Sequence, residues 1–400
     1  MLEFESALNK VLESAGIVGI EEVPLDKAMG SLLAEDIKAG FDMPPFNKSA
    51  MDGYAVCSSD LKRVSRELRC MGVVKPGRPF KKVIKDGECA KIMTGSPLPE
   101  GTDSVVMVEF TKMSKRPGWV KIMRTAKRWE NVCFKGEDIK KGSVVLRRGD
   151  SIMGPEIAIS AALGRRKLEV YRRPRLAVLN TGDEIVEPGK RLTKEKIYNS
   201  NGPMLLSLLS LMDIEAEYLG IARDKERRLE ELILKGLKSD IFLLSGGVSM
   251  GEFDLVPKVL KRCGVKKVFH KVKIKPGKPV FFGTRGNRLV FGVPGNPVST
   301  YLTFLILIKP AIEKMMGRMP YQNINEGVLQ EGFRQRYTER KHFVPVKASG
   351  EKGRIRILPV KGYHGSADIA SLSLANAFMV VESKVSFLKK GSRVKIILWR

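Results

Sequence analysis

No stretch of this 400-residue chain offers the roughly 18 consecutive apolar residues that a helix needs to cross a bilayer. The best candidate, residues 301–308, is short and lies mid-chain, so no membrane association is expected. Cysteine is scarce and scattered: Cys57, Cys70, Cys89, Cys133 and Cys263 include no Cys-x-x-Cys pair. That spacing indicates neither a zinc site nor a disulfide framework and leaves reduced, structural thiols. Aromatic residues make up 7% of the chain, too sparse for the stacking platforms on which single-stranded nucleic acid lies. Glutamine occurs only at Gln322, Gln330 and Gln335 while Lys and Glu abound, which suggests a thermophile surface. The opening residues Met1-Leu-Glu-Phe-Glu5 are acidic and lack an apolar core, so no secretory signal is read there and a cytoplasmic protein is expected.

What the chain does have is positive charge, a formal +27, on a 43% hydrophobic composition typical of globular proteins. A basic surface serves nucleic acid, anionic lipid or an anionic small substrate. Here the cations are interleaved with acids, as in Arg223-Asp-Lys-Glu-Arg-Arg-Leu-Glu-Glu231, so nucleic acid is not the expected partner. The length calls for several domains.

Hydrophobic periodicity divides the chain. Phe4, Leu8, Val11 and Leu12 have helical spacing, and a second helical signal covers residues 25–34. Asp42-Met-Pro-Pro-Phe46 cannot be helix, because proline removes a donor and restricts the residue before it. Residues 50–150 show short β runs at 88–93, 104–110 and 119–124, which predicts a small inserted β domain. From about residue 172 the pattern alternates: strands at 176–179, 215–221 and 241–244, helices at 203–212, 225–237, 253–263 and 297–316. That alternation predicts a doubly wound α/β domain. The last 75 or so residues alternate with period two at 354–357, 377–381 and 393–397, which predicts a small antiparallel barrel or sandwich.

Ligands bind at the carboxyl edge of an open α/β sheet, so the segment after each strand is informative. These segments are Asn180-Thr-Gly-Asp-Glu184, Ala222-Arg-Asp224, Ser245-Gly-Gly-Val-Ser-Met-Gly-Glu-Phe-Asp254, Lys271-Val-Lys-Ile-Lys-Pro-Gly-Lys278 and Gly292-Val-Pro-Gly-Asn-Pro-Val-Ser299. Their convergence on one edge is the strongest internal sign of a site. Gly246 and Gly247 present bare backbone N–H groups to phosphate oxygens, although an ordinary turn would also explain them. Glu184, Asp224 and Asp254 supply hard oxygen ligands suited to Mg²⁺, while a capping role also fits Asp224. Lys271, Lys275 and Lys278 flank a Pro-Gly turn and suit an oxyanion or phosphate. Pro294 and Pro297 fix a loop ahead of a helix with Ser299 in its first turn.

These motifs resemble the MoeA family of molybdopterin molybdenumtransferases, whose animal counterpart is the C-terminal domain of gephyrin. The resemblance rests on Asp42-Met-Pro-Pro-Phe46, Ser49-Ala-Met-Asp-Gly-Tyr-Ala-Val56, Ile92-Met-Thr-Gly95, Gly136-Glu-Asp138, Asn180-Thr-Gly-Asp-Glu184, Ser245-Gly-Gly-Val-Ser-Met-Gly251, Lys275-Pro-Gly-Lys-Pro279 and Val293-Pro-Gly-Asn-Pro-Val-Ser299, in family order. It implies an elongated N-terminal helical and extended domain (1–45 and 139–171) and an inserted β domain (46–138). An α/β molybdopterin-binding domain (172–322) and a C-terminal β-barrel (323–400) would follow. It further implies a homodimer whose site is shared between subunits, and Mg²⁺-dependent insertion of molybdate into adenylated molybdopterin with release of AMP. Adenylyltransferase and molybdoenzyme partners are expected from the same resemblance. By that resemblance Asp52, Thr94, Asp138, Glu184, Asp224, Asp254, Lys271 and Lys275 are expected to act in catalysis. Gly246, Gly247, Ser249, Lys278, Pro294, Pro297, Ser299, Arg340 and Ser371 are expected to hold the substrates, and Asp254 with Glu184 the metal. The sequence departs from the family at Lys48, where asparagine is usual, and at Pro345, where a basic residue is common. An adenylyltransferase-type protein or a molybdopterin-binding scaffold without molybdenum insertion remains the alternative.

Overall fold

The computed structural model describes residues 1–223, 225–248, 255–320, 324–335, 339–350 and 355–399. The chain forms two compact units, residues 1–21 with 171–400, and residues 22–170.

In the first unit, Leu176–Thr181 and Ile241–Ser245 are buried at every position, as the unbroken apolar runs require of strands covered on both faces. They lie inside a six-stranded sheet of order Ala216–Ala222, Leu176–Thr181, Ile241–Ser245, Arg288–Val293, Phe281–Arg285, Lys266–Phe269. The first four strands are parallel, and the last two continue antiparallel. Alternation then sorts the side chains. Leu176 and Val178 face one core with Leu205, Leu209, Leu302 and Ile306, whereas Ala177 and Leu179 face another with Leu229, Ile233, Val256 and Val259. Helices therefore cover both faces, the doubly wound arrangement expected. The helix Phe4–Ser14 also belongs to this unit: Phe4, Ala7 and Val11 enter the first core, and the Phe4 ring packs edge-on against Phe343 at 5.7 Å.

The helix expected over 297–316 is interrupted. Pro297–Thr303 passes through a π-helical turn, Phe304–Ile308, before Lys309–Met315 resumes as α-helix. Pro310 has no N–H for the carbonyl four residues back, and the wider turn sits just ahead of it.

A closed barrel of five strands follows: Ile324–Leu329, Lys341–Ser349, Ile355–Pro359, Ala377–Val381 and Arg393–Leu398. The all-antiparallel expectation fails at one seam, because Ile324–Leu329 and Ile355–Pro359 pair parallel. The reason is topological: directions cannot alternate all the way round a ring with an odd number of strands. The remaining four pairings are antiparallel. A sixth, two-residue strand, Ile274–Lys275, pairs parallel with the start of Lys341–Ser349.

The second unit holds a six-stranded sheet of order Ser104–Met107, Gly53–Val56, Glu88–Ile92, Arg66–Val74, Trp119–Ile122, Thr111–Met113. One face buries Tyr54, Val56, Leu68, Cys89 and Ile122, and the other Ala55, Val74, Ala90 and Ile92. The helical signal over 25–34 does not become a helix. Only Leu25–Lys27 winds, as a 3-10 turn, and Gly30 turns the chain at φ +77° into bridges of Leu32 with Ser151 and Leu33 with Val170.

Gly53 shows why small residues surround Asp52: a Cβ there would stand 2.0 Å from the carbonyl oxygen of Val106 on the neighbouring strand. Gly53→Ala is expected to cost about 1–3 kcal/mol by overpacking, read as earlier denaturant unfolding of the Trp119 and Trp129 fluorescence. Unchanged unfolding would contradict the close approach.

Candidate active site

The strand registers bring the start of each of the five expected segments to one sheet edge, with Asp224 and residues 249–254 outside the described residues. Thr181 pairs with Ala222, Asn180 with Ser245, and Ser245 with Val293, so the loops after four parallel strands leave side by side. Residues 270–280 join them, because Lys266–Phe269 ends and Phe281–Arg285 begins at that same edge. The chain also reverses its direction of growth between Leu176–Thr181 and Ile241–Ser245, which opens a crevice there.

The crevice is polar and tightly built. Asn201 Nδ2 donates to Ser245 Oγ at 2.9 Å and to the Gly295 carbonyl at 2.7 Å. Asn199 Nδ2 donates to the Tyr218 hydroxyl at 2.8 Å, and Tyr218 donates to Glu187 at 2.6 Å. Gly246 and Gly247 have φ of +94° and +62°, and a Cβ on either would strike Thr181. Three buried acceptor atoms here, Asn180 Oδ1, Thr181 Oγ1 and Asn201 Oδ1, find no partner among the described residues. Glu184 is exposed, with its carboxylate folded over Gly182. Asp224, Ser249 and Asp254 lie outside the described residues.

Farther along the same edge, residues 275–279 and 294–299 face the barrel across a cleft of about 890 Å³. It contains Lys275, Lys278, Pro294, Ser299 and Arg340 from the expected set. The Arg340 guanidinium donates to the Ile274 carbonyl at 3.3 Å, and burial together with the Arg340 charge holds the Lys275 ammonium below the usual lysine range. Lys271, Pro297, Gly246 and Gly247 do not line this cleft. Nor does Ser371, which is buried with its hydroxyl on Asp368; Ser366 stands in the wall instead and accepts from Asn296 Nδ2 at 2.8 Å. The sequence reading missed Arg334, Gln335, His342, Tyr363 and His364, which come from the barrel side. One signal was available: the chain has three histidines, and two of them are here.

In the second unit, the Thr94 backbone N–H and hydroxyl both donate to Asp52 Oδ1, at 2.7 and 3.0 Å. Asp138 follows a segment laid against residues 43–50: its N–H donates to the Met43 carbonyl at 3.0 Å, and Val132 pairs with Ser49. Asp52, Thr94 and Asp138 are all exposed.

Residues 2–164 match the MoeA N-terminal region (domains I and II), 177–314 the probable molybdopterin-binding domain and 328–399 the MoeA C-terminal region (domain IV). The chain is 34% identical over 409 residues to a molybdopterin molybdenumtransferase of Haemophilus influenzae, covering 99% of this chain and 98% of that protein. A Staphylococcus epidermidis molybdopterin molybdenumtransferase is 32% identical over 403 residues, covering 99% and 95%. Among solved structures, a molybdopterin biosynthesis MoeA protein from Pyrococcus horikoshii superposes with a TM-score of 0.86 at 31% identity, covering 100% of this chain and 99% of that one.

The Thr94 amide, then its hydroxyl, hold the Asp52 carboxyl below the ordinary aspartate range. Because the folded value is the lower one, the contact contributes above the unfolded pKa and is lost as pH falls through the folded value. Thr94→Val is expected to move the Asp52 titration upward, toward the ordinary range, in carboxyl NMR, with Thr94→Ser restoring it. An Asp52 titration indifferent to both changes would refute the contact.

Proposed function

Since the chain belongs to the MoeA family of molybdopterin molybdenumtransferases, transferase enzymes of molybdenum cofactor biosynthesis, we propose that it inserts molybdate into adenylated molybdopterin with release of AMP, and that the cleft beside the barrel is where molybdate sits. The observation that carries this reading is the placement of Lys275, Lys278 and Arg340 around one cleft. Their donors match a tetrahedral dianion, and guanidinium gives paired, directional hydrogen bonds where ammonium gives a compact charge. Ser299, buried in the same wall, offers a hydroxyl.

The crevice beside Gly246 and Gly247 takes the pterin and phosphate portion in this reading. Its Asn201 acceptor, without a partner among the described residues, suits an N–H donor of a heterocycle, and the Gly247 amide suits a phosphate oxygen, whereas the Gly246 amide donates to the Val293 carbonyl at 3.1 Å. The same edge fits Mg²⁺ by donor chemistry: an exposed Glu184 carboxylate follows the Asn180 and Thr181 oxygens, which have no partner among the described residues, and all are hard ligands. Asp254 and Glu184 would hold the ion, and it would supply charge neutralisation at the pyrophosphate. Lys275, Lys278 and Arg340 keep molybdate from being repelled by the phosphates. The sulfurs belong to the substrate in this reading.

A homodimer is part of the proposal. Asp52, Thr94 and Asp138 are exposed polar groups with built backbone support, and in this reading they complete the cleft of a second copy.

Incubation with adenylated molybdopterin, molybdate and Mg²⁺ is expected to release AMP in a molybdate-dependent way. Arg340→Ala is expected to raise the KM for molybdate about 10- to 100-fold, the worth of a charge-assisted bond, and Asp254→Ala to abolish Mg²⁺-dependent turnover. AMP release that ignores molybdate, or full turnover in Asp254→Ala, would defeat the reading.

A further inference from the structure

His342 lies in the cleft wall, and a chain of hydrogen bonds fixes its tautomer. The Val385 carbonyl can only accept, so the Gln335 side-chain nitrogen that reaches it must donate. That orientation turns Gln335 Oε1, an acceptor, toward His342 Nδ1 at 2.8 Å, so Nδ1 carries the hydrogen. Nε2 is therefore left as a lone pair. The residue is 5% exposed, and Nε2 has no partner among the described residues.

Sheet geometry sets the neighbours. Lys275 and His342 are register partners across parallel strands, so both side chains leave the same face. Arg340 precedes His342 by two residues and falls on that face as well. Lys341, between them, points the other way and pairs with Glu5 and Glu382. An acceptor thus stands among cations: Lys275 from the neighbouring strand, Arg340 from its own, with Gln335 and the Phe333 ring (6.2 Å) packed against it. Lys278, Arg334, Tyr363 and His364 complete the wall, and Asp368 is engaged by His364 and Ser371.

We propose that His342 is the proton-holding residue of this cleft: a tetrahedral dianion seated on Lys275 and Arg340 takes up one proton from solvent, held between Nε2 and an anion oxygen. The inference rests on the reading of the cleft as the molybdate site. Without an anion, burial and then the charges of Lys275 and Arg340 hold the imidazole neutral, its pKa down at about 4. A bound dianion cancels the field of those two cations and presents oxygens to a lone pair, an arrangement that is repulsive unless a hydrogen lies between them. The proton has a chemical use. When a dithiol replaces one oxo group of molybdate, two Mo–S bonds form, one Mo–O bond breaks, and the departing oxygen leaves as water. The His342 proton and one thiol proton enter that water, and the second thiol proton returns to Nε2.

Calorimetric titration of the full-length protein with sodium molybdate near neutral pH, in buffers of different ionisation enthalpy, counts the protons taken up. The expected number is close to one for the wild type and close to zero for His342→Gln. Wild-type affinity should rise about tenfold for each unit fall in pH, with the variant nearly flat. In ¹⁵N-labelled wild type, one imidazole should change from the neutral to the doubly protonated pattern on adding molybdate, a readout independent of the variant's folding. Binding without proton uptake, or an unchanged imidazole, overturns the proposal alone. A proton number that persists in His342→Gln would put the proton on Lys275 and also overturn it. No molybdate binding, with Arg340→Ala indistinguishable from wild type, contradicts the cleft reading, and the proposal falls with it.

Discussion

The two-residue parallel pairing of Ile274–Lys275 with Lys341 and His342 joins the edge of the α/β sheet to the barrel. It is reinforced where Arg340 donates to the Ile274 carbonyl and where the Lys341 N–H donates to the Lys273 carbonyl at 3.1 Å. Lys275 reaches the cleft from a loop fixed by the sheet, Arg340 and His342 from a strand fixed by barrel closure. Their common face exists only because the two β systems share this seam. A slip of one residue would turn Lys341 into the cleft and send Arg340 and His342 to the other side.

The seam concentrates charge where it is costly. Burial and then the Arg340 charge depress the Lys275 ammonium, and burial followed by the charges of Lys275 and Arg340 keeps His342 neutral. Lys341, one residue away on the opposite face, is instead satisfied by two glutamates and held above the usual lysine range despite its burial. The strand therefore alternates between an outer face where Lys341 meets two glutamates and an inner face where Arg340 and His342 line the cleft with Lys275. Cations held close together in a cleft wall favour an anionic ligand, and this local arrangement says more about function than the chain's +27 spread over its whole surface.

Much of this was legible in the sequence. Continuous apolar runs such as Leu176-Ala-Val-Leu179 belong to strands buried on both faces, and the polar loops after them do share one edge. The motifs around Asp52 and Thr94 were legible only as separate loops; the structure joins them by a direct hydrogen bond between residues far apart in sequence. The hidden part depends on long-range pairing. Nothing local announces that Lys275 will lie beside His342, so of the barrel half of the cleft motif reading found Arg340 but not Arg334, Gln335, His342 or Tyr363. Ser371 was expected from the resemblance alone, and a serine in a sequence does not reveal that Asp368 captures its hydroxyl. The helical pattern over 25–34 failed at Gly30, whose positive φ ends the turn, and the odd strand number of the barrel is a global property that no segment carries.

A crystal of the full-length protein soaked in tungstate, a heavy isostere of molybdate, gives the most direct view of the central claim through its anomalous signal. The strongest peak is predicted between the Lys275 ammonium and the Arg340 guanidinium, within reach of Ser299 and His342. Ordered tungstate elsewhere on the protein, with this cleft empty, would contradict the account.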